Sequence, residues 1–556
     1  MSDGGKAGFI DRQIMWNRLL AVVEEQAQVL QSTAFSTVVR ESGDLAAGVF
    51  DARGRMLAQA VTGTPGHINS MALAVGHVID HHPLHTMKPG DVFIHNDPWM
   101  GTGHTNDISL TTPCFVGENL IGFLACNCHV MDIGGVLDLS KSTDVFMEGL
   151  YLPIVRIFEE GKVNETLMAV IRANTREPVE TVGDVYSMVN CNDVGCERLR
   201  EMMTEFGLSD IDDLAEYIIE TSRRGVLKKI AALPKGTWHS SLTLDGHDEP
   251  LVLKAALTIS DDGIHVDYTG SAPMTKRSFN VPLCYTLAYT SYALGIAIVR
   301  DIPNNHGSLA PRTVSAPKGC IVNATKPAAV ITRSFVGLFL PDLVFNCLRQ
   351  ALPDMIPAES TCGLWEVRAM GPWETPPEKT NTYHVRLMTT GGMGALPYRD
   401  GMSATGFPSG VRGGPVEIFE SMSTLVFWRK ELRVDSGGPG EFRGGLGQDM
   451  EISNILPEEF LFFAGLDRIV FPPRGIYGGH DGTAGRLALA SGANLPSKGM
   501  HTIPAGERLI IQSSGGGGAG DPKSRRRDQV AQDLKNGLIH ARTAKEIYGY
   551  DPEHAE

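Results

Sequence analysis

Apolar positions near the start of the chain recur at alternating spacings of four and three. Trp16, Leu20, Val23, Ala27, Leu30 and Ala34 share one face and predict an amphipathic helix over residues 10–36. The period then shortens. Two apolar runs flank Asp51-Ala52-Arg53-Gly54 and predict a β-hairpin over residues 47–60. A helix over residues 71–80 follows, with Asn69 or Ser70 as its cap. Residues 90–94 and 120–128 are short apolar runs of strand character. Alternation in the second places Phe123, Ala125, Asn127 and His129 on one face and Leu124, Cys126 and Cys128 on the other.

Residues 140–235 read as helical and polar, including a charged face over Ser209 to Ile230. The character changes near residue 236, where residues 237–246, 251–259 and 264–268 alternate as antiparallel strands. Helices are predicted at 285–299 and 335–352. After Pro353 the chain is strand and glycine-rich loop to about residue 520, and a final helix over 524–547 carries Val530, Leu534, Leu538 and Ile547. The pattern predicts an α+β multidomain protein. Its expected parts are an N-terminal α/β region carrying a candidate metal site (1–235), a central antiparallel-strand region with helices (236–352), a glycine-rich, mainly β region (353–523), and a C-terminal helix and tail (524–556).

Composition narrows the function classes. At 556 residues the chain is too long for one core, and a formal charge of −15 argues against a nucleic-acid binder, which would carry a basic stripe. The longest apolar run, Leu287 to Val299, is interrupted by Thr290, Ser291 and Gly295, so no membrane span is expected. The opening Met1-Ser2-Asp3-Gly4-Gly5-Lys6 lacks the apolar region of a secretory signal, and nine scattered cysteines suit a reducing cytoplasm. Glycine is enriched at 62 residues, gathered at 101–103, 134–135, 391–394, 413–414, 437–447 and 515–520. Such clusters mark loops that approach a ligand, a partner or another backbone.

The chemistry-bearing residues concentrate in one stretch. His95, Asp97, His104 and Asp107 lie within thirteen residues, and His129 and Asp132 follow. His104 and Asp107 are three apart, a spacing that brings both side chains together on a helical or tight turn, while His129 arrives from a strand end. Two imidazoles and a carboxylate suit zinc, manganese or iron(II) with open coordination positions. A hydrogen-bonded polar cluster lining a loop is the bland alternative. His95, Asp97 and Asp132 are candidates for orienting the ligating imidazoles, or simply for capping turns. His67 is a candidate general base or substrate contact, or a structural residue before a helix. Gly515–Gly520 is followed by no Gly-Lys-Ser/Thr, so the chain is expected to hold no nucleotide of its own. Arg443, among the glycines of 437–447, suits either an interface or anion-binding loop or a tight-turn scaffold.

The runs Gly101-Thr-Gly-His-Thr-Asn-Asp107 and His129-Val-Met-Asp-Ile-Gly-Gly135 resemble the hydantoinase B family. The resemblance extends through Ser36–Asp44, Gly66–Met71, Phe279–Pro282, Pro303–Gly307, Gly391–Ala395, Asp435–Gly447, Gly515–Pro522 and Ile547–Tyr550, essentially the whole chain in order. It implies a divalent metal on His104, Asp107 and His129, and a partner, the hydantoinase A type subunit, which binds ATP with magnesium. The implied chemistry is opening of a small cyclic amide (hydantoin, oxoproline or lactam) that the partner has phosphorylated, by metal-activated water, in a hetero-oligomer. His67, His95, Asp97 and Asp132 are the catalytic candidates beside the metal. The alternatives are a carboxylase subunit of the acetone or acetophenone carboxylase type and a non-catalytic scaffold.

Overall fold

The computed structural model describes residues 8–373 and 382–551. Its first sheet has seven strands: β1 (Leu45–Asp51), β2 (Met56–Gln59), β3 (Val92–His95), β4 (Asp107–Val116), β5 (Asn119–His129), β6 (Val155–Glu159) and β7 (Lys162–Val163). They run in the order β2-β1-β5-β4-β3-β6-β7, every neighbouring pair antiparallel. Both faces are covered, so the central strands are buried end to end and show no polar alternation. Helices Phe9–Thr33 and Pro178–Phe206 cover one face, where Leu124, Cys126 and Cys128 pack. Helix Pro65–His81 covers the other through Ile68, Met71, Val75 and Val78 against Phe50, Phe93 and Phe123. The face beneath that helix carries His129.

The second sheet, in the order β11-β10-β9-β8, consists of β8 (Gly236–Leu244), β9 (Leu251–Ile259), β10 (Ile264–Asp267) and β11 (Arg312–Ser315), with only β10 and β11 parallel. Here β9 alternates buried and exposed, and helices Leu283–Ile298 and Leu340–Ala351 join its buried face in one core. The remaining strands are β12 (Glu366–Pro372), β13 (Thr382–Met388), β14 (Leu425–Leu432), β15 (Gln448–Asn454), β16 (Phe460–Gly465), β17 (Arg486–Leu489), β18 (Lys498–Ile503) and β19 (Leu509–Gln512). They form two antiparallel sheets, β13-β12-β16-β18 and β14-β15-β19-β17, that share an apolar core of Val385, Phe462, Met450 and Ile511. No helix among the described residues is long and apolar enough to cross a membrane.

The glycine runs meet one another. A Cβ on Gly392 would lie 1.9 Å from the Gly445 carbonyl, one on Gly444 1.9 Å from that of Gly516, and one on Gly518 2.3 Å from that of Pro439. Amides of Gly438, Gly445, Gly516 and Gly518 close the bundle on the carbonyls of Gly516, Met393, Gly445 and His480. Of the three roles open to such loops, these glycines serve close approach of backbone to backbone.

Several local expectations are corrected. The helix predicted over 71–80 starts at Pro65, with Thr64 as its cap, because proline at the first helical position fixes the start. Asn69 and Ser70 therefore lie inside it, bonded to the carbonyls of Ala288 and Gly66. Within the stretch read as helical, Val155–Val163 forms the edge strands β6 and β7, joined through Glu160 and Gly161 at positive φ. The single helix over 524–547 is two, Arg527–Lys535 and Ala541–Glu546, parted by Gly537 at φ +68°. Arg443 is buried, its Nε 3.4 Å from Asp533 Oδ2 and its Nη1 donating to the Gly444 carbonyl, so it ties down the glycine bundle and is neither a surface arginine nor an open anion-binding loop.

Candidate metal centre

The site forms where the β4–β5 hairpin, helix Pro65–His81 and the segment before helix Leu340–Ala351 meet. Asp107 opens β4 and His129 closes β5, and the two are direct register partners. The loop between β3 and β4 carries His104 back over them. Gly103 lets that loop pass, since at φ +92° a Cβ there would lie 2.8 Å from Arg333 Cδ. His67 enters from the first turn of Pro65–His81 on the same side. All four side chains are at most 4% exposed.

Asp107 is the hub. Its Oδ1 lies 2.7 Å from His104 Nε2 and 2.9 Å from His129 Nδ1; its Oδ2 lies 2.8 Å from both His67 Nε2 and Arg333 Nη2 and accepts from Thr102 Oγ1. His104 Nδ1 sits 2.9 Å from the Ile331 carbonyl, which can only accept, so the ring proton belongs on Nδ1 and Nε2 carries a lone pair. That Nε2 and Asp107 Oδ1 are both buried and neither has a hydrogen-bond partner, despite their proximity. Two lone pairs converging without a proton between them is the arrangement a cation satisfies. Ligand atoms of His104, Asp107 and His129 lie within 4.8 Å of one another. The donor set fits a divalent metal.

The protonation states agree. Burial and Arg333 hold His104 below its ordinary range, and burial and Arg386 push His129 down to about 3, so both rings are neutral. Burial alone would raise Asp107, but the charges that face it, His67 and Arg333, outweigh burial and keep the carboxylate ionised far down the pH scale. These are the forms metal binding requires. His67 differs. Burial lowers it, yet Asp107 and Asp44 outweigh burial and raise it, so this imidazole tends to keep a proton. Asp44 Oδ1 lies 3.6 Å from His67 Nδ1 and is held by Thr64 Oγ1 at 2.9 Å.

The other expected site residues lie apart. His95 is buried with both ring nitrogens unpartnered and burial pushes it down to about 4, so it is a neutral ring. Asp97 accepts from Tyr151 Oη and the Trp99 amide. Asp132 accepts from the Gly134 amide and pairs with Arg176 at 2.8 Å. Neither carboxylate reaches a ligating imidazole, because each is engaged by its own turn. Cys126 and Cys128 face Met188 on the opposite side of the sheet. Sequence reasoning missed Asp44, Arg333 and Arg386. Asp44 ends a run that carries the family resemblance, but Arg333 and Arg386 are 226 and 257 residues from the groups they touch, with no local signal.

A cleft approaches the centre from the side of the β12–β13 pair. Asn106, Ile331 and Arg386 line its inner end, and Asp132, Arg176, Glu177, Arg368 and His384 its outer part. It encloses about 570 Å³, open solvent at its mouth included. Arg386 Nη1 touches His129 Nε2 and so stands between cleft and centre.

Comparison with solved structures identifies the fold. The fold superposes on the ATP-dependent caprolactamase from Pseudomonas jessenii with a TM-score of 0.89 at 24% identity, over 99% of this chain and 98% of that one. It also matches nucleotide-free acetone carboxylase, with a TM-score of 0.85 at 19% identity, over 97% and 79%. At these identities the likeness is one of fold. The Hydantoinase B/oxoprolinase profile matches residues 9–522, and the chain belongs to that family. Among its relatives are the B component of a putative D-/L-hydantoinase from Pseudomonas sp. NS671 (28% identity, 97% of this chain, 94% of that one) and the beta chain of the P. jessenii caprolactamase (26%, 94% and 93%). The 5-oxoprolinase of Saccharomyces cerevisiae is 26% identical over 92% of this chain, which spans only 41% of that longer protein.

Proposed function

We propose that this chain is the metal-bearing subunit of a two-component, ATP-dependent hydrolase of cyclic amides, working with a separate ATP-binding subunit of the hydantoinase A type. The observation that carries it is the pair of buried, unpartnered atoms His104 Nε2 and Asp107 Oδ1, 2.7 Å apart with the His104 tautomer locked. The relatives named as hydantoinase and caprolactamase components match over nearly their full lengths. An unstrained lactam carbonyl is a poor electrophile, so coupling to ATP on a partner suits the substrate class. Gly515–Gly520, the one run that suggests a phosphate loop, is engaged with other backbone, in keeping with ATP being bound elsewhere.

His104 Nε2, the Asp107 carboxylate and His129 would hold the cation, with zinc, manganese and iron all suited to the donor set. When bound, such a cation supplies Lewis-acid chemistry: it polarises a carbonyl oxygen and makes water acidic enough to act as a nucleophile near neutral pH. Arg333 and Thr102 hold the far oxygen of Asp107, fixing its carboxylate plane. His67 Nε2 lies 2.8 Å from Asp107 Oδ2, so this imidazole steadies that carboxylate and is the candidate proton carrier beside the metal. Arg386, which lines the cleft and touches His129, is the cation that an anionic group on an activated substrate would meet there.

The second reading is a carboxylase subunit, favoured by the fold shared with acetone carboxylase. The test is turnover of hydantoins, lactams and aromatic ketones by the chain co-purified with its ATP-binding partner, with bicarbonate supplied or rigorously removed, for wild type and His104→Ala. Ring opening that ignores bicarbonate and collapses in His104→Ala, with the complex intact, supports the hydrolase. Bicarbonate-dependent consumption establishes the carboxylase. Undiminished activity in His104→Ala leaves only a scaffolding role.

A further inference from the structure

The His104 lone pair depends on a carbonyl that is itself held in place. Ile331 O receives the His104 Nδ1 proton, and two residues on Arg333 reaches Asp107 Oδ2 through Nη2 and the Thr102 carbonyl through Nε at 2.6 Å. One short segment therefore sets the orientation of two candidate ligands. It belongs to no sheet or long helix before residue 334; Thr332 is tied to Ser278 and the Ala329 carbonyl accepts from Asn280, while the 330 and 331 amides are both held by one side chain. Glu148, at the end of the 3-10 turn Val145–Glu148 and fully buried, accepts from the Val330 amide at 2.6 Å and the Ile331 amide at 2.8 Å, both on Oε1.

The chain's own construction brings Glu148 there. The turn is docked on the segment by the Val145 amide on the Pro327 carbonyl and a bridge between Asp144 and Ala328. On its other side the Leu150 amide bonds the Ile133 carbonyl, and the Val136 amide the Met147 carbonyl. Gly135 is required for that contact, because at φ +74° a Cβ there would lie 2.5 Å from the Glu148 carbonyl carbon. The glycine pair that follows His129 in sequence thus has a physical role: Gly135 admits the backbone of Glu148, and Gly134 the carbonyl of Asn174.

We infer that Glu148 is a positioning residue of the metal centre: by clamping the 330–331 amides it fixes the Ile331 carbonyl on His104 Nδ1, keeps Nε2 as the ligating nitrogen, and holds Arg333 against Asp107. This rests on the metal reading above and adds a residue that no ligand touches. Burial pushes the Glu148 carboxyl up to about 8, so near neutral pH it is largely the uncharged acid, and glutamine is its close substitute.

The test is the zinc affinity of the full chain, measured with zinc alone by competition against a chromophoric chelator, for wild type, Glu148→Gln, Glu148→Asp, Glu148→Ala and His104→Ala. Unfolding midpoints of the zinc-free proteins are recorded alongside. Loss of an outer-shell partner typically weakens metal binding about 10–100-fold. Glu148→Ala should fall in that range, and so should Glu148→Asp, one methylene too short to reach both amides. Glu148→Gln, which keeps the accepting oxygen, should stay within about threefold of wild type. A merely structural role would lower the midpoint and leave zinc affinity untouched; that result for Glu148→Ala and Glu148→Asp, with His104→Ala no longer binding zinc, overturns the inference. If Glu148→Ala does not fold, the contrast between the aspartate and glutamine variants decides. Wild-type zinc binding in His104→Ala would sink the metal reading, and this inference with it.

Discussion

Alanine at Gly392 tests whether the glycine runs are packing elements or ligand loops. Built on the backbone, its Cβ would meet the Gly445 carbonyl oxygen at 1.9 Å, the Gly445 carbonyl carbon at 2.5 Å and the Gly516 amide nitrogen at 2.5 Å. Every obstacle is backbone, so no side chain can swing away. The strands must part, and three bonds are exposed to that parting: Gly392 N on Ser514 O at 3.1 Å, Gly445 N on Met393 O at 2.8 Å, and Gly516 N on Gly445 O at 2.9 Å. Losing two or three such bonds costs about 1–4 kcal/mol, and overpacking adds about 1–3 kcal/mol. Against this, alanine recovers only about 0.4–1 kcal/mol of unfolded-state entropy. The net loss is about 1–7 kcal/mol, centred near 4 kcal/mol, and that central value is roughly 8–16 °C for a unit of 150–250 residues. Gly76 supplies the opposite case. It lies inside helix Pro65–His81 with nothing within 4 Å of its Cβ position, so Gly76→Ala should stabilise by about 0.5–1 kcal/mol. Scanning calorimetry of both variants against wild type reads the contrast. Gly392→Ala melting within a degree of wild type, whatever its activity, would refute the packed-backbone argument and return these loops to ligand binding.

Two further outcomes follow from buried charge. Arg468 pairs with Asp342 at 2.9 Å and Glu359 at 3.1 Å, all three at most 2% exposed; Arg468→Met leaves Asp342 buried without its cation, while Glu359 keeps Arg474, and should cost about 3–5 kcal/mol, so an unchanged denaturant midpoint would contradict it. Glu177, at the cleft, is pushed up to about 7 by burial, Glu180 and Asp132. The folded state therefore binds more protons than the unfolded one between its ordinary carboxylate range and about pH 7, and this group's contribution makes stability fall as pH rises through that window. Glu177→Gln should remove the slope, leaving the variant more stable than wild type at pH 8 and little different at pH 4; denaturant midpoints at the two pH values check the sign.

What could be read from the sequence follows the range of the interaction. The helix at the start, the hairpin over 47–60 and the first three strands of the second sheet lie where local period places them, because in each the same few residues that set the pattern also bury it. The pairing of Asp107 with His129 is not predicted, because it rests on a register that the turn alone does not fix. Gly117 and Glu118 form the turn between β4 and β5, and counting back from it, with one bulge at Cys114/Phe115, sets those two residues opposite each other. The start of the helix carrying His67 is marked by Pro65, a signal that hydrophobic period alone does not weigh. The glycine runs show their freedom locally, but what fills the space beside them is decided by other glycines as far off as Gly516 is from Gly392. Asp107 divides the site along the same line. Its Oδ1 faces His104 and His129, both within 22 residues and both expected as ligands; its Oδ2 faces His67 and Arg333, 40 residues before and 226 after. The first oxygen belongs to the hairpin that makes the ligands, the second to the tertiary contacts that orient them. Periodicity and spacing describe a hairpin well and carry no information about what packs on it, so the grouping of His104, Asp107 and His129 was legible and the side chains that support it were not.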